Sequence, residues 1–183
     1  MRRIVLGLGI SLDGYIARPD GSVDFLFMPK DFSMAPFFKT CDVAIMGRKT
    51  LEAGLRLGKT DSIATPGLTC YVFSRTLPPG ERNGATVVNE SPKSFVASLR
   101  KRKGKNIWHM GGGELGVEFL KDDLIDELYL GVVPKLIGEG IPLFPSAFPE
   151  RRFRLLENKS FSQGLISLKY ERLRSKSKSK KPV

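Results

Sequence analysis

At 183 residues and 41% hydrophobic content, the chain has the size and composition of one globular domain, which excludes a disordered or fibrous protein. A formal charge of +11 raises nucleic acid as a partner, whereas one histidine and two distant cysteines are too few ligands for a zinc site, so no metal is expected. No apolar run reaches membrane-spanning length, and Asp13 interrupts the opening "MRRIVLGLGISLDGYIA" before any cleavage site, so a cytoplasmic protein is expected.

In chain order, "IVLGLGIS" (4–11) reads as a buried first strand, followed by a loop rich in Asp, Gly and Pro. Residues 31–40 suggest a helix with Asp31 near its start, although Pro36 opposes it. "DVAIMG" (42–47) is an apolar strand, "RKTLEAGL" (48–55) a short helix, and 68–74 and 85–89 are further strands. The clearest helix begins at Ser91 as N-cap with Pro92 in its first turn. It carries Phe95, Val96 and Leu99 on one face and stops at Gly104. "NIWHMG" predicts a strand, "ELGVEFLKDD" a helix and residues 126–137 a long strand. The end alternates on either side of Ser162-Gln163-Gly164, the pattern of an antiparallel hairpin.

Strands alternating with helices predict an α/β fold in three layers: a central, mostly parallel mixed sheet with helices on both faces and an antiparallel C-terminal hairpin. The domain is expected to span residues 1–173. "RSKSKSKKPV" (174–183) holds five of the thirty basic residues and no acid, which leaves the body at +6. It reads as a disordered, solvated tail, the source of at most weak nucleic-acid binding. Cys41 and Cys70, both in apolar strands, read as reduced and buried.

Three strand ends carry phosphate-friendly chemistry. "GGGELG" satisfies G-x-G-x-x-G through Gly111, Gly113 and Gly116, after a strand and at the start of a helix. A dinucleotide-binding Rossmann unit also needs an acid at the end of the next strand. That strand ends in "VVPK", with Lys135, so a Rossmann domain is the secondary reading. "IMGRKT" puts Arg48, Lys49 and Thr50 in a first helical turn after Gly47, where cations oppose the helix dipole unless an anion lies over it. "VFSRT" ends another strand with Ser74 and Arg75. In a parallel sheet these ends share one edge, which points to a ligand with several phosphates. Solvated surface charge is the alternative.

Asp13 and Asp31 are the candidate catalytic carboxylates, with Asp24 third. Asp13-Gly14 also reads as a turn pair, and Asp31 as a helix-start charge. Ser11, Asp13, Phe25 and Phe32, with Phe27, are candidates for the substrate side, although core packing explains the phenylalanines nearly as well. His109, beside Trp108 in an apolar strand, reads as a core histidine.

Five segments in order, "SLDGYIARPDGSVDFL", "DVAIMGRKTLE", "VFSRT", "HMGGGEL" and "DELYLGVVPKLIGEGIPLF", resemble the dihydrofolate reductase-like superfamily. The resemblance is nearest to stand-alone relatives of the reductase half of the bifunctional riboflavin-biosynthesis deaminase-reductase, and it covers residues 3–172. It implies a reductase that uses NADPH. By that likeness Gly47, Arg48, Lys49 and Thr50 lie against the cofactor's phosphates, and Ser74 and Arg75 meet the adenosine 2′-phosphate. Gly111, Gly112, Gly113, Glu114 and Leu115 cover the pyrophosphate and nicotinamide. The implied substrate is a small pyrimidine- or pterin-like heterocycle, as for 5-amino-6-(5-phosphoribosylamino)uracil reductase of riboflavin biosynthesis. A homodimer is also implied, and the apolar "LYLGVV" and "IPLF" segments offer a surface for it unless they are internal core of a monomer.

The likeness is not uniform. The chain has neither the H-x-E nor the P-C-x-x-C pattern of the zinc deaminases, so deamination is not expected. "WHM" stands where riboflavin reductases usually show an acid. Asp31 precedes Met46 by the spacing of the acid in true dihydrofolate reductases, which makes that enzyme the alternative. A non-catalytic basic protein that binds nucleotide or nucleic acid is a third reading.

Overall fold

A nine-stranded sheet organises residues 1–174, the part of the chain that the computed structural model describes. In chain order the elements are β1 (Ile4–Ile10), β2 (Tyr15–Ala17), α1 (Ala35–Phe38), β3 (Cys41–Gly47), α2 (Arg48–Gly58), β4 (Thr69–Phe73), β5 (Gly80–Arg82), β6 (Ala85–Val88) and α3 (Pro92–Arg100). They continue with β7 (Asn106–His109), α4 (Gly113–Lys121), β8 (Glu127–Val132), β9 (Ile141–Pro142), β10 (Arg152–Ser160) and β11 (Ile166–Leu173). The sheet order is β10-β11-β8-β1-β7-β3-β4-β6-β5, and β2 pairs with β9 apart from it. From β8 to β6 every pairing is parallel, while β10, β11 and β5 run antiparallel to their neighbours. The fold is the mixed α/β arrangement that the pattern of elements predicts.

The period-two pattern of the strands divides the core between two faces. Ile4, Leu6, Val43, Ile45 and Ile107 pack under α3 and α4, which contribute Phe95, Val96, Leu99, Leu115 and Phe119. Ala44, Met46, Cys70 and Val72 meet Leu51 of α2 on the other face. Each such aliphatic side chain contributes about 1.5–3 kcal/mol by leaving water. A third cluster, of Phe25, Val133 and Leu165, sits beneath the loops at the β8–β11 side.

Several expectations are corrected. α1 starts only at Ala35, because Pro36 is tolerated in a first turn but not further inside a helix, and Asp31 lies ahead of it without capping it. β8 ends at Val132, since Pro134 cannot continue the ladder. The β5–β6 hairpin was not expected from the exposed "GER", yet Asn83 (φ 51) and Gly84 (φ 77) form the two-residue turn that such a pair favours. "LYLGVV" lies in β8, between β1 and β11, up to Val132, Val133 joins the third cluster, and Leu143 and Phe144 of "IPLF" pack on the first, so these side chains serve the core of the chain itself. Exposed apolar side chains occur instead on the outer hairpin, at Leu155, Leu156, Ile166 and Leu173. Arg174 is held against the body by Asp123 and Asp126 at 2.9 and 2.8 Å, and the rest of the basic tail lies outside the described residues. No helix among the described residues is long and apolar enough to cross a membrane.

Candidate functional site

β7, β3 and β4 are parallel neighbours, so the three phosphate-friendly strand ends emerge side by side at the carboxyl edge of the sheet. Gly47 is the N-cap of α2 and Gly112 that of α4, and neither helix has a side-chain cap. α3, by contrast, is closed by Ser91, whose hydroxyl accepts from Ser94 N–H at 3.2 Å. The two uncapped helix starts abut: a Cβ on Gly112 would lie 3.5 Å from Gly47 N and 3.3 Å from Thr50 Oγ1. Their amides and dipoles converge where no side chain intervenes, which is the arrangement that holds an anion.

The glycine triplet has two separate causes. Gly111 (φ +124) and Gly112 (φ +95) adopt backbone conformations that side chains disfavour. Gly113 is required by packing, because its Cβ would come within 2.7 Å of Pro145 Cδ and 3.0 Å of the Pro142 carbonyl. Beneath the loop, Leu6, Leu8, Ile16 and Leu143 close a slot with no room for water. Gly111 N–H donates to His109 Nδ1 at 3.1 Å, and Met110 N–H donates to the Ile45 carbonyl at 2.9 Å.

The three cations predicted for this edge are each matched by a carboxylate. Arg48 pairs with Glu52 at 2.6 Å, Lys49 with Glu114 at 3.4 Å, and Arg75 with Glu118 of α4. Among these three residues the edge therefore carries no uncompensated positive charge. Exposed pairs of this kind contribute about 0–1 kcal/mol, so a phosphate can displace their acids. The Ser74 hydroxyl accepts from the amides of Thr76 and Leu77 at 3.1 and 2.9 Å, which shapes the turn that presents Arg75. Asn89, not singled out from the sequence, braces the same turn by donating to the carbonyls of Ser74 and Leu77 at 2.6 and 3.0 Å.

The predicted carboxylates turn out to tie loops together. Asp13 follows β1 and accepts from the amides of Ile137 and Gly138 at 3.0 and 2.9 Å. The Ser11 hydroxyl, and then these amides, hold its carboxyl below the usual range. Ser11 itself is buried, and its Oγ accepts from Tyr15 N–H at 2.9 Å. Asp31 accepts from the Ser162 hydroxyl at 2.7 Å and from the Ser162 amide at 2.8 Å, which lowers its carboxyl likewise. Asp24 pairs with Arg18. A general acid needs a raised carboxyl, and neither main candidate has one. Phe25 is 1% exposed and belongs to the third cluster, so it is core and not pocket wall. Phe32 meets Phe161 edge-on at 5.0 Å, on the β11 side and away from the glycines.

A larger cavity, about 460 Å³, opens at the opposite edge between Arg2, Asp42, Leu68, Leu99 and Arg102. Arg2 is committed to Asp42 there, and Arg102 follows the end of α3, where cations suit the dipole. No cluster of His, Cys, Asp or Glu among the described residues could hold a metal.

Comparison with known proteins places this geometry in context. The family model described as the RibD C-terminal domain matches residues 2–167. Uncharacterized protein YwjB of Bacillus subtilis is 40% identical over 174 residues, 93% of this chain and 98% of its own. Among solved structures, a putative riboflavin biosynthesis protein from Shewanella sp. PV-4 superposes with a TM-score of 0.79 at 30% identity, over 95% of this chain and all of the other. A diaminohydroxyphosphoribosylaminopyrimidine deaminase/5-amino-6-(5-phosphoribosylamino)uracil reductase from Thermotoga maritima matches with a TM-score of 0.72 at 16% identity, over 94% of this chain and 57% of the other. Dihydrofolate reductase from Enterococcus faecalis, complexed with NADP(H), matches with a TM-score of 0.66 at 17% identity, over 93% and 96% of the two chains. The last two likenesses establish the fold.

Proposed function

The chain belongs to the RibD C-terminal domain family, and from that premise we propose that it is an NADPH-dependent reductase of a small pyrimidine- or pterin-like heterocycle. The observation that carries the reading is the meeting of two uncapped helix starts, at Gly47 and Gly112, on the carboxyl edge of a parallel sheet. Dihydrofolate reductase from Enterococcus faecalis, of the same fold, was solved with NADP(H), and the Thermotoga maritima neighbour is named for a reductase. A dinucleotide fits the residues present: a side chain on Gly112 would fill the junction that its phosphates need. The amides after Gly47 and Gly112 would hold the pyrophosphate, and Thr50 lies within the same junction. Arg75, if released from Glu118, would hold the 2′-phosphate, which a guanidinium suits.

When bound, the nicotinamide supplies the hydride. This chain's part is to fix positions and exclude water. Leu6, Leu8, Ile16 and Leu143 keep the space under the glycine loop dry. Asp13 locks the turn after β1 to residues 137–138, which holds the substrate side in place. Lys135, over the Phe27 ring at 5.5 Å, provides a cation for an anionic substituent of the substrate. Asp13 and Asp31 act in this reading as carboxylates that organise the site, and the proton that accompanies the hydride is assigned to neither of them.

True dihydrofolate reduction is disfavoured because Asp31, which would be its acid, is engaged by Ser162. An NADPH-oxidation assay with dihydrofolate and with the riboflavin-pathway pyrimidine separates the two readings. The expected result is slow or absent turnover of dihydrofolate. Brisk dihydrofolate reduction abolished by Asp31→Asn would reverse that choice.

A further inference from the structure

His109 ends β7, two residues before the first loop glycine, and is fully buried. Leu6 of β1 and Ile45 of β3 flank it in the sheet, and Phe119 of α4 meets its ring edge-on at 4.8 Å. No charged group from these elements acts on it. Because Nδ1 accepts from Gly111 N–H at 3.1 Å, the ring proton must reside on Nε2. Nε2 is buried and makes no hydrogen bond of good geometry among the described residues; the backbone at Leu115 and at His109 itself favours the protonated ring but too weakly to offset burial.

A buried donor left unpaired costs about 1–3 kcal/mol. Leucine or phenylalanine would fill the same apolar space without that cost, so packing does not explain a histidine here. What histidine adds is an acceptor aimed at the loop. Gly111, at φ +124, has no side chain to hold its own conformation. Glycine tolerates either orientation of the preceding peptide. Were that peptide to flip, the Met110 carbonyl would turn toward the edge where the helix amides now converge, and its negative end would oppose an anion.

We propose that His109 is the positioning residue of the glycine loop: its Nδ1 fixes the Gly111 amide inward, and so sets the Gly112 and Gly113 backbone at the head of α4 in the orientation that binds an anionic cofactor. The identity of that cofactor rests on the reductase reading, but the clamp on the loop does not.

Two measurements test it. In the unliganded wild-type protein at neutral pH, ring 15N shifts are expected to show the Nε2–H tautomer, with scalar coupling across the Gly111 N–H···Nδ1 bond. A ring protonated on Nδ1 would overturn the proposal without any variant. The second compares His109→Leu, which keeps apolar volume, with His109→Asn, whose Oδ1 stands where Nδ1 was. His109→Leu is expected to speed amide exchange at Gly111 but not at Ile45 or Ile107, and to weaken NADPH binding about tenfold, the worth of one hydrogen bond. His109→Asn is expected to restore both toward wild type. Equal losses in the two variants would show that the ring merely fills space. If wild-type protein bound no NADPH, the reductase reading would fall, while the Gly111 exchange rates would still decide the role of His109.

Discussion

Replacing Gly112 with alanine separates a glycine that serves a ligand from one that serves a turn. The new Cβ would stand 3.3 Å from Thr50 Oγ1 and 3.5 Å from Gly47 N, close but not in hard collision. The cost therefore comes chiefly from the dihedrals: at φ +95 and ψ 98, an L-residue is strained by about 1–3 kcal/mol. In a protein of this length that corresponds to a fall of about 2–12 °C in Tm if the loop keeps its shape. If the loop relaxes instead, stability recovers but the amides at the head of α4 swing away. Either way the methyl group occupies the junction of the two helix starts, so NADPH affinity should fall by about tenfold or more. Gly67→Ala is the control, since Gly67 has φ +80 and nothing within 4 Å of its would-be Cβ. It should lower Tm through the same kind of strain and leave NADPH binding alone. The assay pairs thermal unfolding with NADPH titration for both variants. Unchanged NADPH affinity in Gly112→Ala, with a Tm loss like that of Gly67→Ala, would refute the reasoning.

Arg75→Ala should weaken NADPH by about 10–100-fold, the loss of a charge-assisted contact, and NADH hardly at all; equal loss for both would assign Arg75 to the fold. Glu118→Gln removes the carboxylate that competes for Arg75 and should tighten NADPH a few-fold in the same titration. Burial lowers the His109 imidazole to about 4 from 6.5, so the unfolded chain takes the extra proton first. Stability should be unaffected above about pH 6.5 and fall by about 3 kcal/mol as the pH drops to 4, an excess loss over His109→Asn that urea unfolding at the two pH values measures. Light scattering should give the mass of two chains, with the exposed apolar hairpin of β10 and β11 as the contact; Leu155→Glu should return the mass to that of one chain.

Much of the fold could be read from local pattern. Alternating apolar residues placed the strands, Ser91 and Pro92 placed α3, and the order of elements predicted the parallel sheet. That the three strand ends share one edge followed from the general rule for parallel sheets, whereas the adjacency of β7, β3 and β4 is visible only in the structure. Long-range pairing was not legible. The acids facing Lys49 and Arg75 lie 65 and 43 residues away on α4, so a count of cations along the chain overstated the charge at the edge. Asp31 looked like a helix start because its partner, Ser162, is 131 residues on. His109 was recognised as a core residue, yet its tie to Gly111 depends on a backbone turn that the sequence shows merely as three glycines. Asn83-Gly84 carries a hairpin signal in the sequence, but the exposed "GER" before it lacks the apolar alternation of a strand.

The most direct test of the central claim is the thermal stability of the full chain titrated with NADPH and with NADH. At about a hundred times its Kd, a ligand that binds only the folded protein adds about 2.7 kcal/mol, which here means a rise of about 5–11 °C. The account predicts a saturable rise of that size with NADPH and a markedly smaller one with NADH at the same concentration. No rise with NADPH at millimolar concentration would contradict it.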